Sequence, residues 1–196
     1  MLVLSPGPDT VLILSRTLAS GTTAGLTTLL GTQVGNVVHA VLAGVGVSTV
    51  ILVFPVAFTA LKLVGVVYLL YLAVMAWRAP STLSLDASLT GERGRAGRYF
   101  RQGLTNNLTN PKMIAFFLAL FPQFVRPEAG SLALQSLLLG LTLALMAVAW
   151  IGFVVVVVGQ FRAVVATSTS VLTFANRLAA VTFAGLACRL AFEESR

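Results

Sequence analysis

The chain has 196 residues, of which 57% are hydrophobic and 10% are charged, and its formal net charge is +7. A mean hydropathy of +0.94 is far above what a water-facing surface tolerates, so the composition excludes an ordinary soluble domain and indicates an integral membrane protein. The basic excess does not indicate a nucleic-acid partner, because the arginines cluster in connections between apolar blocks, where they act as topology signals.

The apolar blocks predict an all-α protein whose helices cross the bilayer. Residues 17–61 and 129–161 contain no charged side chain, and a spanning helix needs about 20 mostly apolar residues. Residues 1–20 are too short upstream of their proline motif to span, and they lack the basic start of a signal peptide, so we expect an upstream half of the first helix to be missing. Complete helices are predicted at residues 24–53, 57–77, 100–125, 132–160 and 175–192.

Two of the helices are predicted to be broken by proline. The first carries "SPGPD" at residues 5–9 and the fourth carries "NNLTNPK" from Asn106, so that Pro8-Asp9 and Pro111-Lys112 occupy corresponding positions. Proline removes one backbone hydrogen bond, and in hydrocarbon the freed polar groups must find partners in protein or trapped water. Such breaks therefore tend to line a cavity.

The order of the helices predicts their arrangement in the membrane. Two groups of three helices have opposite orientations, which predicts a six-helix inverted-repeat transporter with broken helices 1 and 4, helix 1 being incomplete. It forms a single transmembrane domain, with a first half at 1–77, a loop at 78–101 and a second half at 102–196. The positive-inside rule places the loop in the cytoplasm and both chain ends outside. The loop carries five arginines: Arg78, Arg93, Arg95, Arg98 and Arg101.

Taken together, the motifs are similar to those of a known transporter family. "SPGPD" followed by "GTQVGNVVHAVLAGVGVS", a basic loop and "NLTNPK" with "FPQF" resembles the LysE/RhtB family of amino-acid exporters over nearly the whole chain. The resemblance implies a multi-pass protein of the bacterial inner membrane that exports amino acids or close derivatives and is driven by the proton motive force. Relative to that family, about half of the first helix is expected to be absent before Ser5.

The predicted substrate is a zwitterion held at the two breaks. Amides exposed where a half-helix starts favour a carboxylate, carbonyls exposed where one ends favour an ammonium group, and an amino acid carries both. Asp9 is the only carboxylate in the predicted membrane region and is the candidate proton-coupling residue, with His39 as the next candidate. The candidate substrate-binding residues are Ser5, Gly7, Asp9, Gln33, Asn36, Asn107, Asn110 and Lys112.

The same side chains also have structural interpretations. Asp9 is an alternative cap for the helix that follows its break. Lys112 and the nearby asparagines are alternative partners for the carbonyls that end the preceding half-helix. Gln33 and Asn36 are equally well explained as hydrogen-bonding groups at a helix interface, and for His39 a structural role is favoured.

The second helix also has features that predict its packing. Gly31 and Gly35 form a GxxxG pair that suits close approach of a neighbouring helix. One helical face should point inward, because its polar and small residues follow spacings of three and four. These residues are Thr32, Asn36, His39 and Ala43.

Together with this family resemblance, the sequence favours a secondary exporter of small, neutral amino acids or their derivatives, of the threonine or homoserine type, working by proton-coupled antiport. Its expected partners are the amino acid, protons and the lipid bilayer, and whether it forms a homodimer is left open. The alternative is an ion or metal exporter of the wider superfamily, although a metal pathway needs several carboxylates, histidines or thiolates. Cys188 is the single cysteine and His39 the single histidine, so no cofactor or metal site is expected. An enzyme is not expected, since the chain has no GxSxG, HExxH or acidic dyad.

Overall fold

The computed structural model describes residues 7–53, 55–78, 96–117, 124–161 and 169–192. Ser5, most of the predicted loop at 78–101 and the end of the chain lie outside these ranges. The regular structure within them is helical, apart from a short 3-10 turn at Pro127–Ala129, which confirms the predicted all-α class. The helices are α1 (Pro8–Ser20), α2 (Thr22–Val53), α3 (Pro55–Arg78), α4 (Ala96–Leu108), α5 (Pro111–Ala115), α6 (Leu132–Gln160) and α7 (Thr169–Phe192).

The predicted helix limits agree with the observed ones where the helix ends with its apolar residues. They differ where the helix continues into polar residues. The predicted and observed limits of α6 coincide at 132–160. The predicted helix at 100–125 is wrong at its start, because α4 begins at Ala96 and includes Arg98 and Arg101 of the predicted loop. The predicted break is present. Pro111 begins a separate helix, α5, because proline fits the first position of a helix and cannot donate to the preceding turn.

Helix α2 lies at the centre of the fold, in extensive contact with α1, α4 and α6, while α3 packs against α7. Glycines allow α2 and α4 to approach closely, as the GxxxG pair predicts. A Cβ atom on Gly31 would overlap the carbonyl of Phe100, and one on Gly103 would overlap the carbonyl of Thr28. Small residues have this effect at helix interfaces in membranes, where backbone-to-backbone packing replaces hydrophobic burial.

Helix α6 presents one apolar face to the protein and another to the surroundings. Ala144, Ala147 and Val155 are buried, whereas Leu145 and Phe153 are 70% and 62% exposed. Exposed apolar side chains of this size suit contact with lipid. Two of the described helical segments, Thr22–Val45 and Leu132–Gln160, are long and apolar enough to cross a membrane.

The predicted inward face of α2 is confirmed by burial. Thr32, Asn36 and Ala43 are no more than 5% exposed, and His39 is half-buried among them. The polar row on α2 therefore faces the interior of the helix bundle.

Candidate functional site

Asp9 lies at the start of α1, immediately after the first proline motif. Gly7 is the N-cap and Pro8 takes the first helical position, so the alternative that Asp9 caps this helix is wrong. Both carboxylate oxygens of Asp9 instead accept side-chain hydrogen bonds from the other motif. Asn106 Nδ2 donates to Oδ1 at 2.6 Å, and Asn107 Nδ2 donates to Oδ2 at 2.7 Å. The start of α1 and the end of α4 are thus joined through the carboxylate of Asp9.

The second break leaves a carbonyl that no helical amide can reach. Pro111 has no N–H group, so the carbonyl of Asn107 cannot accept the usual bond from the residue four positions later. That oxygen instead accepts from the backbone amide of Asn110 at 3.1 Å and lies 3.2 Å from Nε2 of His39. A carbonyl oxygen only accepts, so Nε2 of His39 is the donor. This hydrogen bond supports the structural role favoured for His39.

Asn110 caps the helix that begins after the break. Its Oδ1 accepts a 3.0 Å hydrogen bond from the backbone amide of Lys112. The expectation that Asn110 closes the carbonyls of the preceding half-helix through its side chain is wrong, because its Nδ2, the only side-chain group that could donate to them, makes no hydrogen bond to the described residues. An asparagine N-cap followed by Pro111 at the first position gives the second half-helix a defined start.

A row of buried polar side chains continues from Asp9 along α2. The second amide proton of Asn107 goes to Oδ1 of Asn36 at 3.0 Å. Asn36 donates to Oε1 of Gln33 at 2.8 Å, and Gln33 donates to Oγ1 of Thr32 at 2.9 Å. All four residues are no more than 7% exposed, so these bonds satisfy groups that would otherwise be costly to bury.

Lys112, just after the break at Pro111, brings its side chain next to Gly7 at the start of α1. Its side chain is 7% exposed, and its Nζ lies 5.1 Å from the ring centroid of Phe183 on α7. A Cβ atom built on Gly7 would come within 3.0 Å of this Nζ. Glycine at position 7 therefore leaves the space that Lys112 occupies.

A cavity of about 40 Å³ lies between these groups. Six polar side chains line it and are here called the polar wall: Asp9, Thr10, Thr32, Gln33, Asn36 and Lys112. Four apolar side chains also line it and are here called the apolar wall: Met113, Leu143, Ala147 and Ile151. Since a water molecule needs at least about 10–15 Å³ by this measure, the cavity as it stands holds only a few waters and has to widen for a larger solute.

The structure brings together most of the predicted site residues. Asp9, Gln33, Asn36 and Lys112 line the cavity, and the remaining described candidates, Gly7, Asn107, Asn110 and His39, lie around the two breaks. Sequence reasoning assigned no substrate role to Asn106, which binds Asp9 directly, and did not single out the residues of α6. The α6 residues carry no local signal, because apolar side chains facing a cavity and facing lipid are alike in sequence.

Comparison with known proteins places these features in a family. The family described as LysE type translocator matches residues 1–194. A "Homoserine/homoserine lactone efflux protein" of Salmonella typhi is 39% identical over 142 residues, which cover 72% of this chain and 68% of that protein. An "Uncharacterized membrane protein" of Vibrio cholerae is 33% identical over 189 residues, covering 96% of this chain and 90% of that protein. The "Uncharacterized membrane protein YrhP" of Bacillus subtilis is 34% identical over 165 residues, covering 81% and 78%. No solved structure matches the chain.

Proposed function

This chain belongs to the LysE type translocator family, and we propose that it exports small, neutral amino acids of the threonine or homoserine type across the bacterial inner membrane by proton-coupled antiport. A relative named for homoserine and homoserine lactone efflux supports this substrate class. The observation that carries the proposal is that Asp9 and Lys112, one from each broken helix, line the same cavity.

The two charges suit the two ends of an amino acid. The substrate ammonium group is placed near the carboxylate of Asp9, where the amide oxygens of Gln33 and Asn36 can accept further hydrogen bonds. The substrate carboxylate is placed at the ammonium group of Lys112. Charge-assisted hydrogen bonds of this kind are roughly twice as strong as neutral ones, and they select for a zwitterion.

Antiport follows if a proton and the substrate compete for Asp9. A protonated carboxyl group attracts an ammonium group weakly, and a bound ammonium group disfavours protonation. The two therefore bind in alternation, and alternating access of the site to the two membrane faces converts this exclusion into exchange. His39 is the second candidate for the coupling group, although its hydrogen bond to Asn107 supports a structural role.

The proposed architecture is one transmembrane domain made of two inverted halves, 1–77 and 102–196, joined by a cytoplasmic loop at 78–101. The hydrogen bonds from Asn106 and Asn107, just before Pro111, to Asp9, just after Pro8, support it, because proline motifs in corresponding positions mark the substrate site of inverted-repeat transporters.

Transport into vesicles tests the proposal. Purified protein in liposomes should exchange labelled homoserine or threonine for unlabelled amino acid, and an imposed pH gradient should drive accumulation. Protein-free liposomes and an unrelated membrane protein serve as controls. If a panel covering the common neutral amino acids shows neither exchange nor accumulation, the proposal is wrong. Uptake of a divalent cation by the same vesicles would favour the alternative, an ion or metal exporter.

A further inference from the structure

One wall of the cavity is polar and the other is apolar, and this difference indicates where the side chain of a bound amino acid lies. Resting on the proposed function, we infer that the side chain of the amino acid lies against the apolar wall and that Ala147 sets the largest side chain accepted. The charged side chains that line the cavity, Asp9 and Lys112, belong to α1 and α5, and its lining amides belong to α2. With the ammonium and carboxylate groups bound there, the remaining substituent on the substrate Cα faces α6.

The part of the apolar wall that α6 supplies has its smallest side chain between two larger ones. Leu143, Ala147 and Ile151 are four residues apart, so their side chains follow one another along one face of α6. Ala147 is the smallest of the three and is 3% exposed, and its larger neighbours stand on either side of it. Because Ala147 lines the cavity, the size of the side chain at this position bears on the space left for a substrate.

Ala147 is held in place by the core of the protein. Ala147 and Ile151 pack in one buried cluster with Ile13 of α1 and Leu29 of α2. Such packing leaves little room to adjust, because a core filled to crystal-like density resists the insertion of even one methylene group. The limit on substrate size is therefore set by the side chain at 147 rather than by a mobile loop.

The chemistry of the wall defines the class of side chain. Burying a charged group against Met113, Leu143 and Ile151 has a large free-energy cost, since none of these side chains offers an opposite charge. Short uncharged side chains are accepted. A hydroxyl group is tolerated where it reaches back to Thr10 or Thr32 at the edge of the polar wall.

A series of straight-chain amino acids tests this inference in the liposome assay. Unlabelled glycine, alanine, 2-aminobutyrate, norvaline and norleucine are each added as competitors of a labelled substrate. The measurement is made on four proteins: the parent, Ala147→Val, Ala147→Gly and Ala149→Val. Ala149 is exposed two residues along the same helix, so Ala149→Val is the matched control. Ala147→Val should lower the norvaline-to-alanine preference by about tenfold, the smaller end of the discrimination that one methylene group gives. Ala147→Gly should raise it, and Ala149→Val should leave it unchanged.

The outcomes separate this inference from the proposed function. A parent protein that exchanges no amino acid overturns both. A parent protein that exchanges amino acids, with a preference that none of the 147 variants alters, overturns the inference alone. The inference is also overturned if Ala147→Val reduces the transport of every substrate equally and Ala147→Gly leaves the norvaline-to-alanine preference unchanged. Should Ala147→Val fail to fold, as judged by gel filtration, Ala147→Gly and Leu143→Ala decide the question, and both should raise the norvaline-to-alanine preference.

Discussion

The side-chain amide of Asn107 donates to Asp9 at 2.7 Å and so connects the second broken helix to the carboxylate of the first. Its other proton goes to Asn36, and its own Oδ1 lies against the backbone of Gly35. Reversing the amide would direct its oxygen at the carboxylate of Asp9 and at the oxygen of Asn36. The acceptor oxygens of Asp9 and Asn36 therefore fix the orientation of the Asn107 amide and, through Asn36, that of the polar row on α2.

Removing the side-chain amide of Asn107 should lower the stability of the folded protein more than removing that of Asn106. Asn107→Ala leaves Oδ2 of Asp9 and Oδ1 of Asn36 without this donor, and an unsatisfied buried polar group costs about 1–3 kcal/mol. Asn106→Ala is the matched control, because Asn106 also donates to Asp9 but is only half-buried. Thermal unfolding in detergent should show the larger decrease in melting temperature for Asn107→Ala. An equal decrease for both variants would contradict the central role of Asn107.

Neutralising Asp9 should separate exchange from coupling. Asp9→Asn keeps one acceptor oxygen but sets an NH₂ group against the donor of Asn106 or Asn107, so we expect a loss of about 1–3 kcal/mol of stability. The folded fraction should still exchange substrate, with reduced affinity, yet it should fail to accumulate substrate under a pH gradient. Glu128→Gln, the same change at an exposed carboxylate, should behave like the parent protein. If Asp9→Asn accumulates substrate as well as the parent, the coupling proton binds elsewhere.

The sequence predicts where the half-helices start better than it predicts their contact. Proline acts locally, so the start of α1 at Pro8 and the start of α5 at Pro111 each follow from one residue. The bond between Asn106 and Asp9 joins residues 97 positions apart, and no local pattern specifies it. Ala147 was not predicted for another reason. Lipid and the apolar wall impose the same preference for apolar side chains, so the pattern of α6 does not identify which face lines a cavity.

Close packing of α2 against α4 makes Gly35 sensitive to substitution. A Cβ atom at this position would overlap Oδ1 of Asn107, whereas one at Gly185 on α7 meets no atom of the described structure within 4 Å. Gly35→Ala should therefore lower the melting temperature by several degrees and reduce transport. Gly185→Ala should be neutral or slightly stabilising, because alanine favours a helix by up to about 1 kcal/mol over glycine. Equal melting temperatures for the two variants would show that α2 and α4 separate easily here.

The sidedness of the loop at 78–101 is a prediction from its five arginines. In a Cys188→Ser background, Ser88→Cys should resist an impermeant thiol reagent in intact cells and react after the membrane is permeabilised. The background variant without Ser88→Cys controls for non-specific labelling. Ready labelling of intact cells would show that the loop faces the outside, which is the reverse of the proposed topology.

His39 should matter because Pro111 leaves the Asn107 carbonyl without a helical donor. The donor on His39 lies 3.2 Å from that oxygen, and the ring also stacks on Phe117 at 5.4 Å between centroids. His39→Leu removes the donor and keeps an apolar side chain, so we expect a loss of about 1 kcal/mol, the usual net value of one hydrogen bond. The question is whether the hydrogen bond or the stacked ring accounts for that loss.

A double-mutant cycle with Pro111→Ala answers it. Alanine at 111 regains a backbone N–H group four residues after Asn107, which is the spacing of a helical hydrogen bond. If His39 stabilises the protein by satisfying the carbonyl freed at the break, His39→Leu should cost less in the Pro111→Ala background than in the parent, with a coupling of at least about 0.5 kcal/mol. If stacking on Phe117 is what matters, the cost should be the same in both backgrounds. Melting temperatures of the four proteins in one detergent decide between the two, and His39→Gln, which keeps an N–H donor without the ring, should lie close to the parent only in the first case.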